Sequence, residues 1–169
     1  DFEHPSQKIH QWVCHYFHVE PSIEIRFYEN YVETWATLLN VYMAILHSYP
    51  HSNETDQLTR IKDAIEDERR FALFQAAKVM VNTGFTKWTD FFTDGTTVLN
   101  DSRSCPRMNQ KTSVFSYYIL RSMHLWNIDW FIQQFPFVRY NSNSVTKQQD
   151  WFEVWLNMLL SVSRSNEFT

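Results

Sequence analysis

His10, Cys14 and His18 stand four residues apart near the start of the chain. Imidazole nitrogen and thiolate sulfur are ligands that zinc prefers, and this spacing puts all three on one face of a helix. The outer two would then be about 12 Å apart by helical rise, poorly placed to share one ion. The plainer assignment is a polar flank beside the apolar residues Ile9 and Val13, so neither a metal nor a cofactor is expected. His47 and His51 repeat the spacing, but Pro50 breaks the helix between them. Glu66, Asp67 and Glu68 are adjacent rather than helix-paired and read, with Arg69 and Arg70, as a solvated patch. No H-E-x-x-H, G-x-S-x-G, P-loop or G-x-G-x-x-G sequence occurs, and the chain is expected not to be an enzyme.

Composition narrows the remaining classes. Of 169 residues, 44% are hydrophobic and 17% aromatic, which excludes a disordered tail and suits one domain with a sizeable core. Two Gly and five Pro are too few for the many turns of a β-sandwich, so helices are expected. Fifteen basic against 19 acidic residues give a net charge of −4, and the densest basic stretch, Arg60 to Arg70, is interleaved with acids. Nucleic-acid binding needs a basic footprint to displace counterions, and none is visible. Two cysteines favour a reducing, intracellular and cytoplasmic setting over a secreted disulfide scaffold. The chain starts at Asp1 and reads as a trimmed product. No apolar run is long enough to span a membrane, though a removed tail anchor would place the parent protein at an organelle surface. Sequons stand at Asn53 and Asn100, with no signal peptide to support their use.

Apolar spacing then outlines the elements. Ile9, Trp12, Val13, Tyr16 and Phe17 mark a helix over 6–19. Tyr28, Tyr31, Val32, Trp35, Leu38, Leu39, Tyr42 and Ile45 line a long helix over 22–48, with Glu24, Arg26, Glu29, Asn30, Glu33 and Asn40 on the polar side. Residues 57–82 read as helical in two pieces. Leu58, Ile61 and Ile65 form one stripe and Phe71, Phe74, Ala77 and Val81, with the neighbouring Leu73 and Met80, another, parted by the charged patch. Asp56 is the expected N-cap and Gly84 the stop. The stretch 85–100 fits either a helix face or an extended chain, and 101–111 is a loop. Residues 112–134 are apolar nearly all round, as a central buried helix would be. Thr146 and Gln149 make a capping box for a last helix that buries Trp151, Trp155, Met158, Leu159 and Val162. The sum is an all-α single domain, a globular bundle of six to eight helices around one buried helix.

One stretch resembles a known family. Arg70-Phe71-Ala72 leads an apolar helix to Gly84, Trp88 follows four residues later, and then come Phe91-Phe92 and Gly95. This resembles the first homology motif of the Bcl (B-cell-lymphoma-type) family of apoptosis regulators, where an Asn-Trp-Gly-Arg tetrad opens a helix. Asp150-Trp151-Phe152-Glu153-Val154-Trp155 is similar to the family's second motif, and the helix order agrees. Trp88 lies one residue later than is usual there. Thr89-Asp90 replaces the Gly-Arg whose Arg pairs with an Asp of the bound death-motif peptide, leaving Lys87 as the nearby cation. A tight helix turn of the family is here the loop 101–111. The second helix lacks the family's own Leu-x-x-x-Gly-Asp, which points to a divergent inhibitor of apoptosis, viral ones included, rather than a killer.

The resemblance implies a non-enzymatic interaction domain that binds the amphipathic helix of a protein partner in a hydrophobic groove. The groove would lie between the second helix, the 57–82 region and the start of 85–95. Leu38, Tyr42, Ile45, Phe74 and Met80 would line it. Lys87 would supply charge, and Trp88 and Phe91 would floor or support it. For each of these residues the competing assignment is plain core packing. The competing function is an unrelated helical adaptor or oligomerisation domain working through helix–helix contacts. The oligomeric state is left open.

Overall fold

The computed structural model describes residues 7–92, 106–109, 112–135 and 145–163, the side chains of 145–152 and 163 excepted. Six α-helices carry these residues: α1 Gln7–Tyr16, α2 Phe27–Ser48, α3 Glu54–Asn82, α4 Arg121–Trp126, α5 Ile128–Gln134 and α6 Val145–Ser163. A 3₁₀ turn spans Trp88–Phe91, and a π-helical stretch, Phe115–Leu120, runs directly into α4. Among the described residues there is no strand, only an isolated parallel bridge between Val19 and Met108. The chain is an all-α bundle.

The continuous rod formed by the π-helical stretch and α4 is the most deeply buried element. Phe115, Ser116, Ile119, Leu120, Ser122, Met123, His124 and Leu125 are all buried. It contacts α2 and α3 along its length, and α4 also meets α5 and α6. Arg121 fastens it on two sides, donating to Thr37 Oγ1 at 2.9 Å and to Glu68 Oε2 at 3.2 Å.

Several elements depart from their sequence-based outlines. The single helix expected over 112–134 breaks at Asn127, whose φ of −110° and ψ of 46° are not helical. Tyr118 and Ile132 on it are exposed. The first helix ends at Tyr16 rather than 19, where His18 takes a φ of +51°. The second begins at Phe27 rather than 22, because Ile23 and Ile25 are buried in a non-helical lead-in.

The third helix is one piece. Its charged patch bridges rather than interrupts, with Arg69 on Glu66 at 2.8 Å and Arg70 on Glu66 at 3.3 Å, one turn apart. Asn53, not Asp56, caps it. Asn53 Oδ1 accepts from the Asp56 backbone N–H at 2.9 Å, and its Nδ2 donates to the Asp56 carboxylate at 3.0 Å.

The buried faces are also turned from those expected. On α2 they comprise Phe27, Asn30, Tyr31, Thr34 and Leu38, while Tyr28, Val32, Leu39 and Tyr42 are exposed. Asn30 and Thr34 go inside because His124 on α4 gives them polar partners. On α3 the buried set is Ala72, Ala76 and Met80; Met80 belongs to the expected stripe, but Phe71, Phe74 and Val81 of that stripe face outward. Small Ala side chains let α3 approach the central rod closely. On α6, Trp155, Met158, Leu159 and Val162 are buried as expected. The side chains of Thr146, Gln149 and Trp151 lie outside the described residues, as do Asn100, Cys105 and most of the 101–111 loop.

Candidate functional site

At its C-terminal end α3 closes with Thr83, whose hydroxyl donates to Val79 O and Met80 O. Gly84 follows at φ +94°, a left-handed conformation that other residues adopt at a cost. The chain thereby turns back, and Phe85 N–H bonds to Met80 O at 3.0 Å. Asp90 then organises the next turn. Its Oδ2 accepts from the Thr86 hydroxyl at 2.9 Å and from the Lys87 backbone N–H at 3.1 Å.

Phe91 anchors this turn and is fully buried. Its ring lies 5.0 Å from Phe85, 5.8 Å from Phe17 and 6.2 Å from Phe115. Trp88, half-buried, rests on Phe91 and Phe92 at 5.8 and 5.9 Å.

Between the α3 end, this turn and Trp126 of α4 lies a cleft of about 320 Å³. Leu73, Ala76, Ala77, Met80 and Val81 form its α3 wall, and Phe85 to Trp88 the opposite one. Apolar side chains dominate the lining, with Thr86 and Lys87 as its polar members. The apolar surface continues outward over α3, where Val81 is 68% and Phe74 61% exposed. Lys78 lies over the Phe74 ring at 5.5 Å, and Arg69 over the Trp126 ring at 5.9 Å. Cations thus flank the apolar floor.

Of the eight residues singled out in the sequence, Met80, Lys87 and Trp88 meet in this cleft. Phe74 sits beside it on the exposed face of α3. Phe91 supports the turn from within the core, and Leu38 is core. Tyr42 and Ile45 lie farther along α2, where Tyr42 is exposed and Ile45 half-buried. Leu73, Ala76, Ala77 and Trp126 join the lining without having been singled out for it. Trp126 is brought there by tertiary packing alone.

The histidine–cysteine trio does not close into a site. His10 Nε2 lies 2.9 Å from Ile23 O, so it carries the proton and donates. Cys14 Sγ stands 3.8 Å from Nδ1 of the same ring, and its burial pushes the thiol up to about 11. His18 lies past the end of α1. Among the described residues no three His, Cys, Asp or Glu side chains converge as a metal would need. Nor is any described helix long and apolar enough to cross a membrane.

Comparison with family models, with curated proteins and with solved structures finds no match to this chain.

Proposed function

We propose that this chain is a Bcl-like, non-enzymatic interaction domain and an inhibitor of apoptosis, which holds the amphipathic death-motif helix of a partner in the Met80–Trp88–Trp126 cleft. The observation that carries the reading is the cleft itself. It is apolar, open at the surface and continuous with the exposed Phe74–Val81 face of α3. Its volume is at the lower end of the roughly 300–1,000 Å³ of typical binding pockets, suited to a few side chains of a helix rather than a large ligand. A helix entering it would set apolar residues at i, i+3/i+4 and i+7 against Met80, Val81 and Trp88, with Phe74 extending the contact. Lys87 at the rim and Lys78 beyond it favour a partner with acidic residues flanking that stripe. Asp90 would oppose such a charge, but its carboxylate oxygen is engaged by Thr86 and the Lys87 N–H.

Titration of the chain with a panel of labelled death-motif peptides tests this. At least one peptide is expected to bind more tightly than about 100 µM. Ala77→Glu, at an exposed lining position, is expected to weaken it at least tenfold while leaving the helical circular dichroism unchanged. A panel without binding at that level refutes the reading.

A further inference from the structure

The α2–α3 hairpin runs past the core on which it is built. Leu38 is the last buried residue of α2 and Ala72 the first of α3, and between Leu39 and Phe71 no residue is buried. Both helices nevertheless stay apolar on the side that faces the core lower down. Tyr42 and Ile45 continue the Tyr31–Leu38 face of α2 at helical spacing, with Tyr49 just past its end, and Leu58 and Ile61 continue the Ala72–Ala76 face of α3, where Ile65 already packs partly against the core. At the level of Ala72 the central rod roofs these faces, and Arg121 bridges Thr37 to Glu68 at the base of the arm. Toward the tip no described residue roofs them. Tyr42 is 47%, Tyr49 38% and Leu58 49% exposed. The tip is nonetheless well made, with Arg60 over the Tyr49 ring at 4.0 Å and Gln57 Nε2 donating to Tyr49 O at 2.9 Å. Among the described residues, this tied helix pair has no second layer over its apolar stripe.

We propose that two copies of this chain pair through their α2–α3 hairpins, forming an antiparallel four-helix bundle about a two-fold axis. A second copy supplies what is missing: two more helices with the same apolar faces. Charge permits it. Residues 39–65 hold Arg60 and Lys62 against Glu54, Asp56 and Asp63, a net −1 where the whole chain carries −4, so the arms repel little. Area sets the strength. These six side chains, with Met43 and Leu46 at their edge, offer roughly 500 Å² per arm, so two copies reach about the 1,000 Å² at which specific association begins. The dimer is therefore weak and concentration-dependent. Antiparallel pairing follows from bulk, because parallel arms would drive the two bodies together. The proposal is independent of the cleft at Trp88.

Sedimentation velocity of the whole chain from about 1 to 300 µM tests it, over the range a weak interface samples. The weight-average mass is expected to climb with concentration from 20.4 kDa toward twice that value. Leu58→Glu and Tyr42→Glu, both at exposed positions, are expected to weaken association at least tenfold with helicity retained. Ile132→Glu, exposed on α5, is expected to leave it unchanged. Amide exchange in the unmodified chain gives a variant-free readout, with protection across 42–61 rising with concentration. A monomer at every concentration overturns the proposal, and so does a dimer that both arm variants leave intact.

Discussion

The indole N–H of Trp155 donates to Nε2 of His124 at 2.7 Å. Both side chains are fully buried, and the bond pins α6 to the middle of the bundle. An indole nitrogen only donates, so Nε2 must be unprotonated and the neutral ring carries its proton on Nδ1. That proton finds Thr34 Oγ1 at 3.1 Å, whose own hydrogen goes to Asn30 O at 2.8 Å. The Asn30 side-chain amide also meets Nδ1, at 3.2 Å. A half-turn of that amide presents Oδ1, rather than Nδ2, to the imidazole N–H as a second acceptor beside Thr34. One histidine thus joins α2, α4 and α6, provided it stays neutral.

Protonation of His124 would therefore cost the fold. Burial lowers its pKa from 6.5 to about 3. Below pH 6.5 the unfolded chain binds a proton that the native state refuses. The His124 contribution is thus complete above that pH and declines by about 1.4 kcal/mol per pH unit as pH falls toward 3. Urea melts at pH 7, 6, 5 and 4 should show this slope in excess over His124→Gln, which keeps an acceptor for Trp155 but does not titrate. Equal slopes for the two proteins would contradict a neutral buried ring. Nitrogen-15 spectra should show the Nδ1–H tautomer, unchanged between pH 5 and 8.

This polar knot explains much of what the sequence concealed. Helix positions followed from 3.6-residue spacing, which is local. The face that each helix buries depends on its neighbours. Asn30 reads as solvent-side, and Thr34 stands outside the apolar stripe, because nothing in α2 announces His124, more than eighty residues away. Ala72 and Ala76 carry too little apolar surface to outweigh Phe71 and Phe74 in a stripe, yet their small size brings α3 onto the rod. At the cleft, the Gly84 stop of α3 and Trp88 on the wall after it are legible because a glycine stop followed by an indole is a local signal. Trp126 is not, because only the packing of α4 against α3 brings it to the cleft that Met80 lines.

Gly84 is expected to be intolerant for a backbone reason. A Cβ placed there would meet Pro106 at 3.6 Å, ordinary van der Waals contact, so there is no clash to relieve. The cost is the φ of +94°. Gly84→Ala should lose about 1 kcal/mol in urea unfolding, Gly84→Asn less and Gly84→Val more. A ranking that followed side-chain volume, with Asn as costly as Val, would instead indicate crowding by Pro106.

Cys14 is expected to be chemically quiet. Desolvation, and secondarily the Glu20 carboxylate, raise its pKa to about 11, and the thiolate is the reactive form. Iodoacetamide at pH 8, mapped by peptide mass spectrometry, should modify Cys14 roughly a hundredfold more slowly in the folded chain than in urea. Comparable rates would show an accessible thiolate and revive a ligand role for the residue.

At the tip of the arm, the start of α3 depends on its cap more than on packing. No residue from Glu54 to Arg60 is buried, so little tertiary contact holds the first turn. Asn53 satisfies the Asp56 N–H and takes its carboxylate in return. Asn53→Ala should therefore cost about 1 kcal/mol, and Asn53→Ser much less, since Ser keeps an accepting oxygen without setting a second carboxylate beside Asp56. The loss should be local: faster amide exchange at Asp56 and Gln57, with the Ala72–Met80 segment unaffected. Uniformly faster exchange along α3 would mean that the arm and the bundle unfold as one unit, and that the cap acts on the whole helix.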